Sequence, residues 1–157
     1  MSESGQAQEA FTIGEVAERT GLSVHALRYY ERENLLVGPV RRTSGGRRTY
    51  TAADIEWLRY AVKLRESGMP LTDLAQLAAL VRQGPGNENE RLQILDAHLH
   101  RIERQIQALE QSRALIEWKV GFYGDHLRAG SATGLWDPTQ GDRTTPSHVN
   151  NVMADNT

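Results

Sequence analysis

Apolar positions recur at helical spacing in several short stretches and then in one long one. Thr12-Ile13-Gly14-Glu15 reads as a capping box, with Thr12 accepting from first-turn amides while Glu15 reaches back. Ile13, Val16 and Ala17 then share one helical face, and Gly21 suits a left-handed stop. Ser23 is a good N-cap for a second helix through Glu31, which Asn34 ends. Two short helices joined by a glycine-containing turn make a helix-turn-helix. Between Val37 and Tyr50 the pattern turns to Gly38, Pro39, Gly45 and Gly46 among polar residues, which predicts two short strands, a hairpin wing. Thr51 to Asp54 cap a helix running to about Ser67, Gly68-Met69-Pro70 breaks it, and Leu74, Leu77, Ala78 and Val81 mark another over Leu71 to Arg82.

After the loop from Gln83 to Asn89 comes the longest periodic segment. Leu92, Leu95, Leu99, Ile102, Ile106 and Leu109 alternate steps of three and four. The register continues through Arg113, Ile116, Val120 and Tyr123, a heptad seam broken once, at Arg113. One helix with one apolar seam cannot bury it alone, so a partner helix is expected, most simply from a second copy of the chain. Leu92, Leu95, Leu99, Ile102, Ile106, Leu109 and Ile116 are the candidate dimerisation residues. From Gly124 the pattern dissolves, and a composition rich in Gly, Ser, Thr, Asn, Asp and Pro predicts a mobile tail.

The fold class expected is therefore mainly α. An arm over residues 1–10 precedes a winged helix-turn-helix domain over 11–83. A coiled-coil helix over 88–123 and a short tail over 124–157 follow.

Composition narrows the function. The 157 residues contain no cysteine, which removes disulfides, thiolate metal sites, iron–sulfur clusters and thiol switches. MSESGQAQEA has neither a basic region nor an apolar core, and no apolar run reaches membrane-spanning length. A cytoplasmic protein without a membrane partner is expected. The net charge of -2 hides an asymmetry: Phe11 to Gln83 carry 11 Lys/Arg against 8 Asp/Glu, and Gly84 to Thr157 carry 7 against 10. Positive charge in the first part favours a polyanion there, and its clustering between Arg41 and Arg48 is the sharper signal.

A recognition helix presents its N-terminal residues to base edges in the major groove while its neighbours hold phosphates. That places Val24, His25 and Ala26 nearest the bases, with His25 carrying the polar tip. Arg28 and Tyr29 would hold the backbone, and Arg41, Arg42, Arg47 and Arg48 would lie along it from the wing. No nucleophile–base pair, phosphate-binding glycine loop or paired carboxylates stand out, so no catalytic residue, enzyme activity or cofactor is expected. Asp96 and His100, with His98 near, share a helical face, but they do not amount to a metal site.

Thr12-Ile-Gly-Glu-Val-Ala, Thr20-Gly21-Leu-Ser23, Leu27-Arg-Tyr-Tyr-Glu31, Leu35-Leu36, Arg41-Arg42, Gly46 and Arg48-x-Tyr50 together resemble the MerR family of bacterial transcription regulators, over residues 11 to about 123. The resemblance implies a homodimer joined by antiparallel pairing of the long helices on a near-palindromic promoter. It implies control by bending and untwisting double-stranded DNA, so that RNA polymerase is reached indirectly, through the promoter. By carry-over, Arg28, Tyr29, Arg47, Arg48 and Tyr50 are expected phosphate contacts, with His25 the base reader and Arg19 a further member. Asp54 to Leu71 and Ile116 to Tyr123 are similar to the aldehyde- and electrophile-responsive subgroup, which carries a reactive cysteine where this chain has Lys63. A lysine can form a Schiff base when its charged form is disfavoured. The other expectation is a non-thiol effector bound among Trp57, Tyr60, Trp118, Phe122 and Tyr123, with His126 and Trp136 near. The alternative is an architectural or constitutive DNA-bending protein that senses nothing.

Overall fold

The structure is a computed structural model that describes residues 9–137 and 141–142. The expected arm up to residue 8, and the expected tail at 138–140 and 143–157, lie outside the described residues. The fold is mainly helical: α1 (Ile13–Thr20), α2 (Val24–Arg32), β1 (Arg41–Arg42), β2 (Arg48–Thr49), α3 (Ala52–Glu66), α4 (Leu71–Gln83), α5 (Glu88–Arg128), β3 (Trp136–Asp137) and β4 (Gly141–Asp142). Two compact units divide inside α5, one ending at Ile102 and the other beginning at Glu103.

In the first unit the caps form as the sequence implies. Glu15 accepts from the Thr12 amide at 2.7 Å, and Gly21 closes α1 at φ +73° with its amide on the Ala17 carbonyl. The Ser23 hydroxyl accepts from the Ala26 amide at 3.0 Å, which starts α2. Asn34 takes the left-handed conformation, φ +56°, and turns the chain out of the helix. α1 packs on α2 and α3, and α4 packs on α3, around fully buried Val16, Leu27, Leu35, Tyr50, Leu58, Met69 and Leu74. β1 and β2 pair antiparallel, Arg41 with Thr49 and Arg42 with Arg48, across a turn in which Gly46 has φ +77°.

Two side chains distant in sequence pin the exit from α2. Arg82 donates to the Asn34 and Leu36 carbonyls, both at 2.6 Å, and the Trp57 indole donates to the Leu35 carbonyl at 2.6 Å. Gly38 passes so close to Asp54 that a Cβ there would lie 2.1 Å from a carboxylate oxygen. Asp54 is itself buried and caps α3 by accepting from the Thr51 amide at 2.8 Å, so only glycine leaves room for that cap.

The start of α5 belongs to the first unit. Ile94 and Leu95 pack against its core, and His98 is only 3% exposed. The Ser67 hydroxyl donates to the Leu64 carbonyl at 2.9 Å and lies 2.8 Å from His98 Nε2. With its one proton used on Leu64, Ser67 accepts from Nε2–H, which leaves Nδ1 as a buried acceptor without a hydrogen-bond partner among the described residues. Burial and the Arg101 guanidinium push the imidazole below its ordinary range, opposed by Asp73, which pairs with Arg101 at 2.7 Å. A base with a depressed folded pKa contributes stability that is present above the unfolded pKa, about 6.5, and is lost as pH falls below it. The thermal midpoint should therefore fall on acidification from pH 7.5 to 5. The contribution of one proton cannot exceed about 1.4 kcal/mol per pH unit. His98→Gln keeps the donor toward Ser67 and removes the titration, so the difference between wild type and variant should shrink as pH falls.

In the second unit α5 runs past the expected boundary at Tyr123 to Arg128. Gly121 and Gly124 are weak helix formers, which is why the pattern reads as broken there. Side-chain stacking offsets that weakness: Trp118 stacks on Phe122 at 5.3 Å, and Phe122 lies 4.4 Å from the His126 ring. The chain then turns, with His126 Nδ1 2.8 Å from the Ser131 hydroxyl, and Leu135 is buried. β3 and β4 pair antiparallel, Trp136 with Asp142.

Candidate nucleic-acid interface

α2 and the wing enclose a groove of about 800 Å³ between them. Arg28 reaches it from α2, and Arg42, Arg47 and Arg48 reach it from the hairpin. Glu31 is part of its lining. Its carboxylate accepts from Arg48 at 3.0 Å and stands 4.0 Å from Arg42. Arg42 also donates to the Gly46 carbonyl at 3.1 Å, which folds its side chain along the wing turn.

The expected contact residues divide into an exposed set and a held set. Arg19, His25, Arg28, Arg41, Arg42 and Arg47 are exposed. The Arg19 guanidinium lies over the Phe11 ring, 4.4 Å from its centroid, at the end of α1. Tyr29 is half-buried, edge-on to Tyr30, with Arg32 above its ring at 5.4 Å. Arg19, His25, Tyr29 and Arg41 stand outside the lining of the groove.

Two of the expected phosphate contacts lie inside the fold. Tyr50 is 1% exposed with its hydroxyl buried, and burial raises its pKa above the ordinary phenol range against the opposing pull of Arg48. Its backbone exchanges hydrogen bonds with Phe11 at 2.8 and 2.9 Å, so it anchors β2 to the segment before α1. It is a core residue. Arg48 has a side chain only 7% exposed, paired with Glu31 and lying 5.0 Å over the Tyr50 ring. Those contacts make it a tie between wing and α2, with Glu31 as its acceptor. Glu31, Arg82 and Gly38 position this interface and were not singled out from the sequence. Their partners lie 16 to 48 positions away, and no local pattern reports such a pairing.

The candidate effector residues fall into two groups, one in each unit. Trp57 is committed to the Leu35 carbonyl and contacts Tyr60 at 5.9 Å, and burial raises the Tyr60 pKa. Lys63 is 78% exposed and paired with Glu66 at 2.7 Å. A Schiff-base lysine is activated by an apolar surround or a neighbouring cation, and the Glu66 carboxylate beside Lys63 is neither. In the second unit Trp118, Phe122, Tyr123 and His126 form an aromatic ladder, with Lys119 over both Trp118 and Trp136 at 5.6 and 5.4 Å. Asp96 and His100 pair at 3.6 Å, and no group of three metal-ligating side chains occurs among the described residues. No helix among them is long and apolar enough to cross a membrane.

The seam residues also divide. Leu95 is spent on the first unit's core and Ile102 is half-buried, whereas Leu92, Leu99, Ile106, Leu109 and Ile116 are 51–70% exposed. Val120 and Leu127 continue that exposed row.

The same arrangement occurs in known proteins. A sequence profile for MerR HTH family regulatory proteins matches residues 11–80, and one for the MerR DNA-binding region matches residues 55–118. An HTH-type transcriptional regulator of Haemophilus influenzae is 32% identical over 125 residues, covering 80% of this chain and 92% of that protein. The crystal structure of HiNmlR, a MerR family regulator lacking the sensor domain and bound to promoter DNA, is 31% identical. It matches with a TM-score of 0.68 over 79% of this chain and 98% of that one. A MerR family regulator from Listeria monocytogenes matches with a TM-score of 0.71 at 27% identity, over 76% and 90% of the two chains.

Proposed function

This chain belongs to the MerR family of helix-turn-helix regulatory proteins, and from that premise we propose that it is a dimeric, sequence-specific regulator that binds a near-palindromic promoter and controls transcription by bending and untwisting the DNA. The observation that carries the reading is the row of exposed cations, Arg28, Arg42 and Arg47, along the groove between α2 and the wing, beside an exposed His25 at the start of α2. A helix N-terminus offering one polar tip to base edges, flanked by guanidiniums for phosphates, is the geometry of major-groove reading. The exposed apolar row on α5 supplies the surface for a second copy, and two copies match two half-sites. Cost is incurred in deforming the duplex and offset by the wing contacts, which is indirect readout.

A non-thiol effector would act through the aromatic ladder on α5 or through Trp57 and Tyr60. A second reading has a specific observation behind it. The described chain covers 98% of a relative whose structure lacks a sensor domain and is bound to promoter DNA. On that reading the dimer deforms its promoter without an effector. Footprinting on the promoter upstream of its own gene, paired with in vitro transcription without added ligand, separates the two. Protection between the promoter elements with little transcript is expected for a sensor awaiting its effector, and protection with full transcript for a constitutive regulator. No protection at any promoter upstream of its own gene, at concentrations that coat random DNA, would remove the sequence-specific reading.

A further inference from the structure

Within the second unit, α5 carries two rows at seven-residue spacing: Ile106, Arg113, Val120 and Leu127 in one, and Leu109, Ile116 and Tyr123 in the other. Every member is apolar or aromatic except Arg113. Its side chain is 73% exposed and its Nε lies 3.6 Å from the Glu117 carboxylate. Around it is a shallow groove of about 450 Å³, lined by Leu109, Ser112, Ile116 and Val120 with the Arg113–Glu117 pair. Glu103, Glu110 and Glu117, also seven apart, stand along one border of the seam, while Gln105, Ser112 and Lys119 stand along the other. One border is therefore acidic, and the other carries only the Lys119 cation, which lies over the Trp118 and Trp136 rings.

The consequence depends on the dimer proposed above, with its long helices paired antiparallel as the family resemblance implies. In an antiparallel pair of helices, each border of the seam meets the same border of the second copy. The acidic borders then face each other, and like charges at that distance repel. We propose that Arg113 is the residue that permits self-association. Its aliphatic stem continues the apolar surface, and its guanidinium is shared between Glu117 of its own chain and the acidic border of the second copy. The occupant of the groove is therefore a second copy of this chain, because each chain brings both the cation and the carboxylates that neutralise it. A helix of equal hydrophobicity with an acidic border and no such cation would be refused, which sets partner choice as well as affinity.

The test is the salt dependence of the dimer, measured by sedimentation on the full chain. Wild-type dimer should weaken as salt rises, because attraction across the seam is screened. Arg113→Met keeps the stem and removes the charge. Its dimer should be about tenfold weaker at low salt, the scale of one exposed ion pair on each copy, and should strengthen as salt rises. Adding Glu110→Gln and Glu117→Gln to Arg113→Met should restore the dimer and reduce the salt effect. The opposite outcome, a tighter Arg113→Met dimer with unchanged salt dependence, would mean that Arg113 is only a polar defect in an apolar seam and would overturn the inference. A wild-type chain that stays monomeric at every salt concentration would instead remove the dimer reading on which the inference rests. Circular dichroism of each variant confirms that α5 remains helical.

Discussion

The triple variant Arg41→Ala, Arg42→Ala, Arg47→Ala should lose on the order of 10³ in affinity for its promoter at moderate salt, while folding normally. The three side chains are exposed on the wing and none enters the core, so truncation leaves the packing around Leu27, Leu58 and Leu74 intact. Each phosphate contact releases counterions and contributes about 0.9 to the slope of log affinity against log salt. Two copies of the chain carry six of these arginines, so the slope should flatten by about 5. Gel-shift titrations at several salt concentrations measure both quantities. Arg48→Ala is the informative control. With Arg48 held on Glu31 and over the Tyr50 ring, its loss should lower the thermal midpoint and leave the salt slope nearly unchanged. An Arg48→Ala slope as flat as that of the triple variant would show that DNA pulls this guanidinium away from Glu31.

That control marks where the sequence was legible and where it was not. Caps, turn glycines and apolar spacing act over three or four residues, so Thr12 with Glu15, Ser23, Asn34 and Thr51 with Asp54 announced the helix boundaries directly. The seam on α5 was legible for the same reason, because periodicity is a local property repeated. Burial at long range was not. From the sequence Tyr50 reads as a phosphate contact, and its burial follows from a backbone bridge to Phe11 that no local pattern reports. Arg48 looked free because its carboxylate partner lies 17 positions earlier. His98 looked like a solvated helix histidine because nothing near it in sequence shows that Ser67, at the end of α3, closes over it. The helix end was misplaced because two glycines outweigh stacking of Trp118, Phe122 and His126 in any local count.

The second large effect should come from the seam itself. Ile116→Asp with Val120→Asp places two carboxylates where the single chain has side chains 61% and 68% exposed. Because both side chains are largely exposed and lie outside the first unit, that unit should keep its thermal midpoint and its helix content. Pairing is what the substitutions attack. Each apolar side chain of this size contributes about 1.5–3 kcal/mol when fully buried, and an unpaired carboxylate in its place reverses the sign. With four such positions in a pair of chains, the variant should sediment as a monomer at micromolar concentration. A monomer holds one half-site, so specific binding in the usual range of about 10⁻⁸ to 10⁻¹¹ M should collapse toward the non-specific range of about 10⁻⁴ to 10⁻⁶ M. The arginine groove is untouched, so that residual binding should retain a steep salt dependence, the reverse of the wing variant. Bending should vanish with dimerisation, because deforming a duplex requires two grips at a fixed separation. A variant that remains dimeric and bends the promoter normally would move the interface off this face of α5, and the charge pattern around Arg113 would then have to be explained by the single helix alone.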